Sequence, residues 1–292
     1  MGEHVPEMAR HAPCGIQPLG QKEKKLADIV TFTNVSKTYH AGTPRAFTAV
    51  TDINFHVEDE PGIGEFIGIL GPSGCGKSTI LRLIAGLVPQ FPPTTGEVIV
   101  NGQPVTGPGA DRGMVFQDYT SFANRNVLDN VAFGLECQGV PVGERHTRAR
   151  EWIAKVGLDP EHDQYKYPHQ LSGGMRQRVA IARTLILHPK IILMDEPFGA
   201  LDPVTRRNMQ DLLVDLWREL EATVFFVTHD VSEAVYLADR IYILSNSPGT
   251  IMHQFKVMPP DRPAKVMMRE PAFQESVFEI SNILDQLEEG KD

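Results

Sequence analysis

One octapeptide constrains this chain more than any other feature. Gly71-Pro-Ser-Gly-Cys-Gly-Lys-Ser78 fits the spacing G-x-x-x-x-G-K-[ST]. An apolar run, Glu65-Phe-Ile-Gly-Ile-Leu70, precedes it, and Ser78-Thr-Ile-Leu-Arg-Leu-Ile-Ala85 follows with helical spacing. Strand, glycine-rich loop and helix together make a phosphate cradle. Gly71, Gly74 and Gly76 can adopt backbone angles closed to other residues. The loop can then turn its N–H groups inward, and the helix adds its positive N-terminus. In such a cradle Lys77 reaches the β- and γ-phosphates and the Ser78 hydroxyl coordinates Mg²⁺. Gly71, Pro72, Ser73, Gly74, Cys75, Gly76, Lys77, Ser78 and Thr79 are therefore candidate nucleotide-binding residues. Cys75 is read as a small residue filling the loop; its rival role is a thiol activated by Lys77.

The loop needs a partner that manages metal and water. Ile191-Ile-Leu-Met-Asp195-Glu196 is an apolar strand ending in two acids. A buried parallel strand delivers such groups at its C-terminal end, where open α/β sheets bind ligands. Asp195 suits Mg²⁺, and Glu196 suits a general base for the attacking water. A second continuous apolar run, Val224-Phe-Phe-Val227, is followed by Thr228-His229-Asp230. Helical patterns over 127–158, 171–188, 203–221 and 231–238 alternate with these strands, which predicts an α/β fold. Strands are also expected at Ile29–Thr33 and Asp52–Val57, and at Gly96–Val100 before an Asn101-Gly102 turn.

Leu171-Ser-Gly-Gly-Met-Arg-Gln177 narrows the class. It resembles the LSGGQ signature of ABC ATPases, with Met175 in place of the commoner Gln. Ser172, Gly173 and Gly174 open a helical stretch and offer a second phosphate-binding N-terminus. The resemblance implies a P-loop NTPase of the ABC ATPase type: a RecA-like core, an antiparallel β subdomain and a helical subdomain at about 118–182. It implies ATP and Mg²⁺ as cofactors. It also implies a head-to-tail pair in which Ser172, Gly173, Gly174 and Met175 cap the ATP of the other copy. Further family positions match: Gln117 as the Q-loop residue touching Mg²⁺, Ala200-Leu-Asp202 as the D-loop, and His229 as the switch histidine at the γ-phosphate. Tyr39 resembles the aromatic that stacks on adenine, with Phe47 as its rival.

Within that family the likeness is to nitrate/sulfonate/taurine-type importer ATPases. It rests on Gly107–Gln117, Met194–Asp202 and Leu244–Gly249. It implies permease partners and, indirectly, an external solute-binding protein. Two departures stand out: Ala123-Asn-Arg125 replaces the usual Pro-Trp after the Q-loop, and Glu58–Gly64 looks lengthened.

Composition trims the alternatives. The net charge of −9 counts against nucleic acid as a partner, because phosphate neutralisation dominates that affinity. Three scattered cysteines suit free thiols in a reducing compartment. No apolar run reaches the roughly 18–20 residues that span a bilayer, so the chain is not expected to cross a membrane. The importer resemblance implies a cytoplasmic location, peripheral on the inner face of the cell membrane. The competing functions are a soluble ABC ATPase of DNA repair or translation, and a non-hydrolysing nucleotide sensor. The expected division is a mobile extension over 1–28, an ATPase domain over 29–253, and a looser tail over 254–292. An amphipathic helix at about 272–288 ends that tail, and packing on its own domain is favoured for it over a regulatory role.

Overall fold

The computed structural model describes residues 28–58, 62, 64–118, 120–258 and 260–290. Residues 1–27 of the extension expected over 1–28, and residues 59–61 and 63 of the lengthened segment, lie outside the described residues, while Asp28 already belongs to the first strand.

Two long strands, β1 (Asp28–Tyr39) and β2 (Phe47–Glu58), pair antiparallel and open the chain. Then come β3 (Phe66–Leu70) and helix α1 (Lys77–Ala85), followed by β4 (Thr95–Val100), β5 (Gln103–Pro104) and β6 (Arg112–Val115). Helices α2 (Val127–Cys137), α3 (Val142–Lys155) and α4 (Gly173–Leu185) form a block beside the sheets. The chain returns through β7 (Ile191–Asp195), α5 (Pro203–Leu220), β8 (Thr223–Val227), α6 (Val231–Leu237) and β9 (Arg240–Leu244). It closes with β10 (Ile251–Lys256) and helices α7 (Ala264–Met267) and α8 (Pro271–Glu288).

The strands sort into two sheets: an antiparallel one ordered β2-β1-β4-β5 and a six-stranded one ordered β10-β9-β3-β8-β7-β6. In the second, β9, β3, β8, β7 and β6 run parallel and β10 is an antiparallel edge. The phosphate loop leaves β3, a central strand flanked by β8 and β9. Alternate residues of the parallel strands feed two different cores. Phe66, Met194, Phe226 and Ile243 join α2, α4, α5 and α6 on one face. Ile67, Leu193, Phe225 and Leu244 join α1 and the antiparallel sheet on the other. Burial on both faces is why these strands read as continuous apolar runs.

Several expectations need adjustment. Strand β1 runs to Tyr39 rather than ending at Thr33, because Asn34 takes a left-handed φ of 48° and the register shifts between Phe32 and Val35. A bulge of this kind breaks the alternation from which a strand is read. Strand β2 begins five residues before Asp52, itself at φ 46°, for the same reason. The Asn101-Gly102 turn joins β4 to β5 with φ of 50° and 71°, as an Asn-Gly hairpin turn requires. The loose tail expected from 254 begins instead inside β10, whose pairing with β9 is hidden by the half-exposed, polar run His253-Gln254.

Helix α8 packs on α6 and on the core, burying Phe273, Ile280 and Leu287 at heptad spacing. Phe278 falls off this stripe and is 67% exposed. Its last turn is tied down where Asn246 Nδ2 donates to the Leu287 carbonyl at 2.5 Å. Deleting 270–292 is expected to lower unfolding stability by on the order of 5 kcal/mol, from three buried apolar side chains at about 1.5–3 kcal/mol each. Denaturant titration reads this directly. An unchanged midpoint with altered nucleotide affinity would assign the helix a regulatory role instead.

Candidate functional site

Three strand ends and one helix start build the site. The loop after β3 turns on Gly71, Gly74 and Gly76, with φ of 150°, 79° and 99°. A Cβ on Gly76 would stand 2.3 Å from Val50 Cγ1, so both space and conformation require glycine there. Helix α1 opens without a side-chain cap. Helices α2, α4, α5 and α6, by contrast, are capped by Asn126, Ser172, Asp202 and Asp230. Helices α3, α7 and α8 also start without a side-chain cap, but only the uncapped start of α1 follows the glycine-rich loop, where its first N–H groups are available to an anion.

The loop and the strand ends enclose a cavity of about 530 Å³, a size that suits a nucleotide. Tyr39, Phe47 and Ala49 line one part of it. Ser73, Gly74, Gly76, Lys77, Ser78 and Thr79 from the loop and α1 also line it, as do Glu196 and His229. The Lys77 ammonium donates to the carbonyls of Gly71 at 2.7 Å and Pro72 at 2.9 Å, which keeps it inside the loop. The Ser78 hydroxyl donates to Asp195 Oδ1 at 2.7 Å.

Beyond Asp195 the chain bends sharply. Glu196 has a left-handed φ of 46°, uncommon for a residue with a side chain, and its N–H donates to the Val227 carbonyl at 3.0 Å. The bend turns its carboxylate toward two partners. Gln117 Nε2 donates to Glu196 Oε2 at 3.0 Å, and His229 Nδ1 lies 3.7 Å from the same oxygen. Glu196 and His229 sit just past the ends of neighbouring parallel strands, which is why residues so distant in sequence meet.

Tyr39 and Phe47 face each other across the β1–β2 register, and both reach the cavity. The Tyr39 hydroxyl shares a 3.2 Å hydrogen bond with Thr79 on α1, while Phe47 is half-exposed. Cys75 is fully buried, and burial pushes its thiol pKa up despite the pull of nearby Lys77. The small-residue reading of Cys75 therefore fits better than the activated thiol. Its carbonyl also packs against Gly249, where a Cβ would approach it to 2.0 Å.

The signature residues behave differently. Ser172 caps α4 by accepting from the Met175 N–H at 3.3 Å, but Ser172, Gly173, Gly174 and Met175 do not line the cavity. The cavity of one chain is therefore lined by the glycine-rich loop, Glu196 and His229, and not by Ser172–Met175.

One residue was missed from sequence. Arg82 lies one helical turn beyond Ser78 and pairs with Asp195 Oδ2 at 3.4 Å. Its i, i+4 relation to Ser78 was the available signal.

Oxygen donors suit a hard cation: the Ser78 hydroxyl and Asp195 carboxylate are already adjacent, and the Gln117 amide lies against Glu196. No group of three or more His, Cys, Asp or Glu side chains able to hold a metal occurs among the described residues. No helix among the described residues is long and apolar enough to cross a membrane.

Comparison with known proteins agrees with this geometry. The ABC transporter family model matches residues 50–199. The nitrate import ATP-binding protein NrtD of Synechocystis sp. is 47% identical over 259 residues, covering 86% of this chain and 93% of that protein. The taurine import ATP-binding protein TauB of Burkholderia thailandensis is 50% identical over 213 residues, covering 73% and 78%. Among solved structures, the dimeric post-hydrolysis state of the ATP-binding cassette MJ0796 bound to ADP and Pi superposes with a TM-score of 0.67 at 35% identity, covering 78% of this chain and 99% of that one. With fold, cavity and relatives in agreement, the chain belongs to the ABC transporter family, in which it is the ATP-hydrolysing cassette.

Proposed function

We propose that the chain energises import of a small solute of the nitrate, sulfonate or taurine kind. It acts as one of two identical subunits bound to a permease at the cytoplasmic face of the membrane, with an external binding protein delivering the solute. The observation that carries this reading is the half-built site. Phosphate loop, Glu196 and His229 converge on one cavity, and the signature at Ser172–Met175 does not line it. A signature supplied by a second copy, head to tail, completes two such sites at once. The similarity to nitrate and taurine import ATP-binding proteins supports the importer role.

The chemistry follows from the contacts. Tyr39, anchored through Thr79, stacks on adenine, and the loop N–H groups and Lys77 hold the phosphates. A magnesium ion held by Ser78, Asp195 and Gln117 would neutralise charge on the β- and γ-phosphates. Asp195 is oriented by the Ser78 hydroxyl and the Arg82 guanidinium. Glu196 accepts the proton of the attacking water, and Gln117 and His229 hold its carboxylate in place. Ser172 and the α4 N-terminus of the opposing copy complete the positive surround of the γ-phosphate. Closure around two ATP pulls on the permease near the Q-loop; hydrolysis releases it.

A soluble repair or translation role is disfavoured. The longest helices among the described residues have 18 residues, too short for coiled-coil arms, and the chain is acidic. Catalytic decay to a sensor is disfavoured because Glu196 and His229 are both in place.

Tyr39→Ala is expected to raise the dissociation constant for ATP about tenfold, as loss of one base–aromatic stack implies. Phe47→Ala should change it less, and fluorescent-nucleotide titration distinguishes the two. The proposal as a whole is tested by ATPase assays with and without the co-encoded permease reconstituted in vesicles. Stimulation by the permease and its loaded binding protein is expected. ATPase activity indifferent to any membrane partner would refute the importer role.

A further inference from the structure

Two polypeptide segments leave the catalytic end of the sheet side by side. One runs from Glu196 through Pro197–Asp202 into α5; the other carries His229 from β8 into α6. A single guanidinium holds both. Arg206, in the first turns of α5, donates through Nη2 to the Leu201 carbonyl at 3.3 Å, on the Glu196 segment. Its Nη1 meets Asp230 Oδ2 at 3.2 Å, and its Nε lies 3.5 Å from Glu233 Oε1, both on the His229 side.

These acceptors bracket the histidine. The other oxygen of Glu233 accepts from the Thr228 hydroxyl at 2.7 Å. That hydroxyl in turn accepts from the Asp230 N–H at 3.0 Å. Asp230 also caps α6 through the N–H groups of Ser232 and Glu233. The residues on either side of His229 are thus linked to Arg206, by a hydrogen bond at Asp230 and, at Thr228, through Glu233, which Arg206 meets as an ion pair rather than a hydrogen bond. His229 itself is exposed and makes only the 3.7 Å approach to Glu196.

Glu233 is 4% exposed, and burial pushes its carboxyl pKa up against the opposing effects of Thr228 and Arg206. A buried carboxylate so placed needs a cationic partner, which ties Arg206 to this position. Arg206 and Glu233 also line a small crevice shared with Glu196 and His229.

We propose that Arg206 is a positioning residue for hydrolysis: it sets the distance between Glu196 and His229 by clamping the two segments that carry them. The inference rests on the assignment of Glu196 as base and His229 as its partner. Only a planar fork can serve a carbonyl and two carboxylates at once, so lysine should not substitute.

The test uses the full chain with saturating Mg·ATP, measuring phosphate release, ATP affinity and melting temperature. Arg206→Gln and Arg206→Lys are each expected to lower kcat about 10–100-fold, the scale of a misplacement near 1 Å, with KM for ATP within about twofold. The lysine variant keeps the charge beside Glu233 and so should fold if the glutamine variant does not. Adding Arg206→Gln to His229→Ala should cause no further loss, because both act on one contact. Wild-type kcat in a folded Arg206 variant, with His229→Ala impaired, would overturn the clamp and leave the hydrolytic assignment standing. So would a rise in KM at unchanged kcat, or a full additional loss in the double variant. Wild-type kcat in His229→Ala would overturn the assignment and the clamp together.

Discussion

Glu196→Gln is expected to lower the turnover of ATP about 10²–10⁴-fold, the usual worth of a positioned general base. Affinity for ATP should stay within a few-fold of wild type, because the contacts of the carboxylate are to Gln117 and His229 rather than to the phosphate loop. Glutamine keeps the size and one oxygen of the side chain, so the bend at φ 46° need not change. It cannot accept the proton of water. ATP that is bound but not cleaved should then hold two copies together, and the variant should elute as a dimer only when ATP is present. Phosphate release and light scattering measure the two effects separately. Wild-type turnover would show that another group takes the proton. Loss of the ATP-dependent dimer would show that the residue serves assembly rather than chemistry.

The second large effect concerns the composite site. Lys77→Ala removes the ammonium inside the phosphate loop. Ser172→Asp keeps a good helix cap but places a negative charge at the signature, against the phosphate of the opposing copy. Each variant alone is expected to lose nearly all activity, since both of its sites carry the same defect. A one-to-one mixture should regain activity, because a mixed dimer pairs the intact loop of one chain with the intact signature of the other. Half of the dimers are then mixed and one site in two is whole, so about a quarter of wild-type activity is expected for independent sites. A mixture as inactive as its components would mean that the signature acts within its own chain or not at all. The double variant Lys77→Ala/Ser172→Asp mixed one to one with wild type serves as control: its mixed dimers hold no intact site, so only the wild-type homodimers work and about a quarter of wild-type activity is expected, against about half if the signature acted within its own chain.

Much of this was legible in residue order. The phosphate loop, the strand ending in Asp195-Glu196 and the helices beginning at Ser172 and Pro203 are local patterns. Backbone freedom at glycine, burial on both faces and helix capping act within a few residues, so a linear reading captures them. Where local rules were broken, the reading fell short. Left-handed Asn34 and Asp52 interrupt the alternation of β1 and β2, and the polar edge of β10 disguises a paired strand as a tail.

What only the tertiary structure decided is which distant groups share an atom. Parallel register beside β8 brings Glu196 within reach of His229, and Gln117 joins them from the segment after β6. The Arg82–Asp195 pair and the Arg206 clamp are likewise products of sheet order rather than of any motif. The chemistry of each residue type is written in the sequence. The distances that let one carboxylate serve as base depend on long-range pairing of strands, which no local pattern encodes.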